Sequence, residues 1–156
     1  MLDALSFYRV AHTLHSIGLR RTARVLTTAS RILFGAHVPA EALIGPGCEL
    51  GYGGIGIVIH PDAIIGRDVL LSPGVVIGGR SGLQGVPVIE DGAKIGCGAK
   101  VLGPIRVGAG AKVGANAVVL RDVAPGDTVA GVPARSLHGK TAGAVDLTVR
   151  GGPLRA

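Results

Sequence analysis

From Ile59 onward an aliphatic residue returns at every sixth position: Ile59, Ile65, Leu71, Ile77, Leu83, Ile89, Ile95, Val101, Val107, Val113 and Val119. Such a step is the signature of a β-helix, in which each hexapeptide is one short strand plus a corner. Three hexapeptides close a triangular coil, and stacked coils bury a continuous aliphatic column. Four places after many of these residues stands a small or apolar one (Ala63, Val69, Val75, Ala93, Ala99, Ala111, Ala117). Gly often follows directly, as at Gly66, Gly78, Gly96, Gly108 and Gly114, where it relieves corners whose backbone is awkward for other residues. Val38, Ile44 and Leu50 keep the step upstream, so the repeat runs over about residues 38–124, or roughly five coils.

Between Leu50 and Ile59 the step is nine instead of six, and three residues must be looped out for the register to resume. The stretch contains Gly51, Gly53 and Gly56 at the G-x-G-x-x-G spacing of a dinucleotide-binding turn. That reading fails on context, because IVIHP follows where a helix should start and Pro61 fits badly there. The glycines are read as an interruption of the repeat.

Composition supports one ordered domain. The chain has 156 residues with 27 glycines, yet 47% of it is apolar, which argues against disorder. With no Trp and few aromatics, the core must be narrow and filled by small branched side chains. A formal charge of +6 suits an anionic partner, but no nucleic-acid-binding motif is present and aromatics for base stacking are scarce. No apolar run reaches the ~20 residues of a membrane span. The first residues lack the pattern of a secretory signal, so a cytoplasmic location is expected. Cys48 and Cys97 form no C-x-x-C pair and are expected to be reduced.

Residues 1–36 lack the hexapeptide step and predict two helices: about 3–16, opened by Asp3 as a cap, and about 19–34, ending before Gly35. Leu5, Tyr8, His12 and His15 share one side of the first, while Arg20, Arg21, Arg24 and Arg31 make the second basic. The pair is read as a cap over one end of the coil in preference to a membrane- or nucleic-acid-binding element. The expected division is therefore a helical cap (1–36), a β-helix domain (37–136) and a loosely attached C-terminal tail (137–156).

With RDVAPGDTVAGVPAR (121–135) closing the repeat and GGRSGLQGVPVI (78–89) interrupting it, the chain resembles the left-handed β-helix acyltransferases, and within them the serine O-acetyltransferases. The likeness covers about residues 36–136 and is strongest in IGCGAKVLGPIRVGAGAKVGANAVVL (95–120) and AGVPAR (130–135). The resemblance implies a mainly β fold, a left-handed parallel β-helix, assembled as a homotrimer with active sites between neighbouring coils. It implies acetyl transfer from acetyl-CoA, a co-substrate, to the hydroxyl of a small acceptor, with no metal and no permanently bound cofactor. A histidine takes the acceptor's proton while backbone N–H groups stabilise the oxyanion. L-Serine is the expected acceptor.

Where the family carries L-D-H, however, this chain has Leu50-Gly51-Tyr52; where the family carries H-P-K-I, it has Val86-Pro87-Val88-Ile89. These departures keep a sugar or polysaccharide hydroxyl as the alternative acceptor. His60, the only histidine within the repeats, is the candidate base, with Tyr52 as a second catalytic candidate positioning the acceptor. In the resembled family the alanines of G-A-G segments touch coenzyme A, and here those positions are Cys97 and Ala115. A strict spacing of 18 places Pro133 above them and Gly78-Gly79, then His60-Pro61, below, provided residues 80–88 stay in the coil. Lys112, which shares a face with Lys94, and Arg135 are candidates for the nucleotide phosphates and the adenosine end. A zinc-dependent carbonic anhydrase on the same coil would need three converging histidines, and a scaffold or ice-binding coil a file of outward Thr; the sequence offers neither.

Overall fold

The computed structural model describes residues 3–138, so the expected C-terminal tail lies outside the described residues from position 139 on. From Val38 the chain winds as a parallel β-helix of two- and three-residue strands on three faces. Face A stacks Val58–Ile59, Val76–Gly78, Lys100–Leu102 and Val118–Val119, with His37 bridging to Val58 at the bottom. Face B stacks Leu43–Ile44, Ile64–Ile65, Val88–Ile89 and Arg106–Val107, with Val123 bridging to Val107 at the top. Face C stacks Glu49–Leu50, Leu70–Leu71, Lys94–Ile95, Lys112–Val113 and Thr128–Ala130, closed by the antiparallel strand Arg135–Ser136.

The hexapeptide residues point inward as three vertical files. Val38, Ile59, Ile77, Val101 and Val119 form one, and Ile65, Ile89, Val107 and Val123, above the partly buried Ile44, form another. Leu50, Leu71, Ile95, Val113 and Val129 complete the interior. Each fully buried Val, Leu or Ile contributes about 1.5–3 kcal/mol of transfer free energy. The second small residue of each repeat, such as Ala63, Ala93, Ala99, Ala111 and Ala117, fills the corner between two files and is fully buried.

Two kinds of corner residue hold this geometry. At Gly96 a Cβ would stand 2.7 Å from the Ala115 nitrogen of the next coil, a backbone atom that cannot move aside. At the third position after most file residues of faces B and C the backbone is left-handed, filled by glycines such as Gly98 (φ 68°) or by Asn116 (φ 55°) and Asp68 (φ 53°), the side chains that best tolerate it.

The interruption at 50–59 loops out three residues, as the spacing requires. Leu50 pairs with Leu71 and Ile59 with Ile77, so Tyr52, Gly53 and Gly54 are surplus and bulge from the corner between faces C and A. The second interruption is larger than the period suggests. Ile77 pairs with Val101, twenty-four residues on, where a closed coil needs eighteen. Six residues therefore leave the coil, and Leu83, counted above as an inward file member, is 51% exposed in the resulting loop. The insertion escapes the periodicity because its length is one full repeat.

Helices α1 (Ala4–Ser16) and α2 (Arg20–Phe34) pack as a hairpin on the first coil. Asp3 caps α1 by accepting from the Ser6 N–H at 2.8 Å, and the hydrogen bonds hold its carboxyl below the usual value despite partial burial. Gly35 ends α2 in the left-handed conformation. Docking is specified by polar contacts from α1: the buried Tyr8 hydroxyl donates to Ala42 O at 2.7 Å and accepts from Ile44 N at 3.2 Å. Burial pushes the Tyr8 phenol up. His12 Nδ1 lies 2.7 Å from Ala40 O, which fixes the proton on that nitrogen.

Two buried hydroxyls in the cap should respond oppositely to deletion. Tyr8→Phe strands a carbonyl and an N–H and should cost about 1–3 kcal/mol. The Ser30 hydroxyl of α2 is buried without a hydrogen-bond partner, so Ser30→Ala should be neutral or stabilising. Denaturant titration of the two variants checks both signs.

Candidate active site

The strand register places the candidates on two edges of the prism. Along the edge between faces C and A, the pairings Ile59 with Ile77, Leu71 with Ile95 and Ile95 with Val113 stack Ile55, Pro73, Cys97 and Ala115. Gly74 N donates to Ile55 O, Gly98 N to Pro73 O and Asn116 N to Cys97 O, each at 2.8–2.9 Å, which confirms the stacking atom by atom. Cys97 and Ala115 are both exposed here. Pro133 does not continue the file. Val113 pairs with Val129, only sixteen residues on, so Gly131 takes the next place.

Tyr52 stands at the foot of this edge, on the bulge. Its backbone is left-handed (φ 51°, ψ 41°) and its side chain is the most exposed of the large apolar residues, at 85%. Holding a bulky residue there costs on the order of 1–3 kcal/mol. Flanking Gly53 (φ 72°) and Gly54 (φ 94°) let the chain reverse twice within the bulge. Lys112 lies on face C three residues before Ala115, beside Lys94, its register partner. Above the exposed Ile55, the edge presents the small side chains of Pro73, Cys97 and Ala115.

His60 and Gly79 lie on the other edge of face A, toward face B. His60 N donates to Ile77 O, and His60 continues upward through Gly78, Leu102 and Leu120. Gly79 follows directly and opens the extruded loop, with empty space around its Cβ position. The loop's departure is why Gly78-Gly79 and His60-Pro61 do not fall beneath Gly96-Cys97, as an unbroken spacing of 18 would have it. The His60 ring, about 38% exposed, accepts the Asp62 N–H at Nδ1 (3.1 Å), so the neutral ring carries its proton on Nε2.

At the top of that edge Arg135 joins two residues that periodicity did not single out. Arg80, from the extruded loop, and Arg121, after the last strand of face A, line with Arg135, Leu120, Pro133 and Ala134 a pocket of about 160 Å³. None of the three guanidinium groups pairs with a carboxylate among the described residues. Arg135 is positioned by the closing strand, which Asp127 pins: its carboxylate accepts from Thr128 N, Ser136 Oγ and His138 Nδ1 at 2.7–2.9 Å. The bonds from His138 and then Ser136 hold the Asp127 carboxyl below its usual range. The hold is therefore complete above the ordinary carboxylate pKa and lost as pH falls through the lowered one. Only the three-dimensional register brings the arginines together, since they are 41 and 14 positions apart in the chain.

Comparison with known proteins decides the family. Residues 87–121 match the bacterial transferase hexapeptide (six repeats) model. The chain is 39% identical over 138 residues to a serine acetyltransferase of Synechococcus elongatus, covering 87% of this chain and 56% of that protein. It is 38% identical over 138 residues to the serine acetyltransferase of Helicobacter pylori strain J99, covering 87% of this chain and 80% of that one. The chain belongs to the serine acetyltransferase family. A solved structure of soybean serine acetyltransferase complexed with serine superposes with a TM-score of 0.81 at 39% identity, over 86% of this chain and 56% of that one. The fold is thus the one that the resemblance implied, a left-handed parallel β-helix with two helices shared with serine acetyltransferase structures. The chain spans about half the length of several serine acetyltransferases it matches, 56% of the Synechococcus protein and 49% of that of Escherichia coli K12.

Replacing Ala115 by Trp should obstruct this edge without touching the core, since Ala115 is exposed at a corner. Calorimetry should then show acetyl-CoA affinity reduced at least ~10-fold with an unchanged melting transition. Unchanged affinity would place the donor elsewhere.

Proposed function

We propose that this protein is an acetyl-CoA-dependent O-acetyltransferase acting on L-serine, which it converts to O-acetylserine. The observation that carries the reading is the continuous edge of Ile55, Pro73, Cys97 and Ala115, with exposed Tyr52 at one end, in a chain of the serine acetyltransferase family. The pantetheine arm lies along this edge against backbone groups, with Lys112 toward the phosphates. Acetyl transfer breaks the thioester C–S bond and forms an ester C–O bond, while the proton of the serine hydroxyl moves to a base and then to the leaving thiolate.

Tyr52 orients the acceptor, and His60 of an adjoining protomer supplies the base. The assembly is a homotrimer, supported by the outward residues of two faces. Face B turns out Leu43, Ile64, Val88 and Arg106, and face A turns out Val58, Val76, Lys100 and Val118, three aliphatic residues in each file of four, whereas face C carries Glu49, Leu70, Lys94, Lys112 and Thr128. Aliphatic files of that kind are stabilised by burial against another copy. To accept a proton at Nδ1, His60 must release the Asp62 N–H, a single half-exposed bond worth about 1 kcal/mol that substrate contacts can offset. Arg135, with Arg80 and Arg121 on the same edge as His60 and so from that adjoining protomer, holds the anionic adenosine end of the donor.

A sugar hydroxyl is the second reading, favoured by the open Tyr52 ring and by glycine and valine where the family has acceptor-side histidine motifs. An acceptor panel, followed by release of free thiol from acetyl-CoA, separates the two.

His60→Ala should lose turnover by at least ~100-fold while binding coenzyme A normally. Near-normal turnover would transfer the assignment to Tyr52, whose Phe variant is measured alongside. Sedimentation should find a trimer; a stable monomer at micromolar concentration would contradict the shared site.

A further inference from the structure

Helix α2 buries only Ala23 and Ser30, a narrow strip against the rest of the cap. At about 100° per residue, Arg20, Arg24 and Arg31 fall in one stripe of its free surface, and Val25, Ala29, Ile32 and Leu33 fall in the next. Val25, Ile32 and Leu33 are 65–77% exposed, and Val10, Ile17 and Leu19 of the same hairpin are 50–65% exposed. Wide aliphatic exposure beside a row of arginines has no purpose in covering the coil. Solvent alone would favour polar residues there.

We propose that this face of the cap docks on an anionic lipid surface, with Val25, Ile32 and Leu33 entering the interface and the arginines meeting headgroup phosphates. Charge selects that occupant. Residues 3–34 hold Arg9, Arg20, Arg21, Arg24 and Arg31 against Asp3 as the single carboxylate, so a second cap of the same charge is repelled and a negative surface is attracted. A basic stripe adjoining an apolar one is the pattern of helices that lie in the plane of a membrane, and α2 has the length for that, while no helix among the described residues is long and apolar enough to cross one. The cap sits at one end of the prism, so docking leaves both edges along its length open to acetyl-CoA and acceptor. The inference does not depend on which acceptor is used.

Co-sedimentation of the purified protein with vesicles tests it. Binding to mixed phosphatidylserine–phosphatidylcholine vesicles should be at least ~10-fold tighter than to phosphatidylcholine alone, and should weaken steeply with salt. Arg24→Glu/Arg31→Glu should abolish the preference for phosphatidylserine. Ile32→Ser/Leu33→Ser, whose melting transition should match the parent's because both side chains are exposed, should reduce binding to the mixed vesicles at least ~10-fold. No binding to mixed vesicles, or equal binding by both variants, overturns the proposal. So does loss of the assembly in Ile32→Ser/Leu33→Ser on sedimentation, which would make the face a contact between copies. Tighter retention on single-stranded nucleic acid than on the mixed vesicles would overturn it as well.

Discussion

Coil-to-coil register is the constraint on which everything else rests. Each short strand has only two or three residues, too few to be stable alone, and acquires its place by donating to the coil above and packing one aliphatic residue on the one below. A shift of one residue would turn every file side chain outward and bring a Cβ into the backbone at positions such as Gly96. Because the register cannot slip, a residue's place on an edge follows from its pairing alone. The surplus residues of an interruption have to leave through a corner.

Both interruptions leave at corners flanking face A, and these are the two edges where the chemistry-bearing side chains stand. Tyr52 leaves at the C/A edge, beside Cys97 and Ala115. The loop from Gly79 leaves at the A/B edge, where it carries Arg80 to Arg121 and Arg135 above His60. A single protomer therefore holds the Cys97–Ala115 edge and the candidate base apart, and the proposed homotrimer would join them. The backbone strain at Tyr52 is confined to the bulge, where the coil has no file residue to hold.

Much of this was legible before any coordinates. The period of six gave the coil, the inward files and their extent. The nine-residue step gave the three-residue bulge, and Asp3 and Gly35 marked the helix ends. What misled was arithmetic within the period. A loop of six residues is invisible to a search for every sixth aliphatic, so Leu83 passed as a file member and His60-Pro61 seemed to fall beneath Gly96-Cys97. The last coil is two residues short, which removed Pro133 from the same file. Arg80 and Arg121 carried no local signal, because an arginine at a corner is ordinary until the register shows what stands beside it.

The central claim is that the donor lies along the edge of Cys97 and Ala115, and the protein's own thiols report on it. Cys97 is exposed on that edge, whereas Cys48 is buried, its Sγ–H donating to Gly66 O at 3.0 Å and its pKa raised by burial. Iodoacetamide should therefore alkylate Cys97 and leave Cys48 intact in the folded protein. The decisive measurement is the rate of Cys97 alkylation, followed by mass spectrometry, with and without saturating coenzyme A. The account predicts at least ~10-fold protection of Cys97 by the ligand. An unchanged rate, under conditions where coenzyme A binding is verified independently, would contradict it.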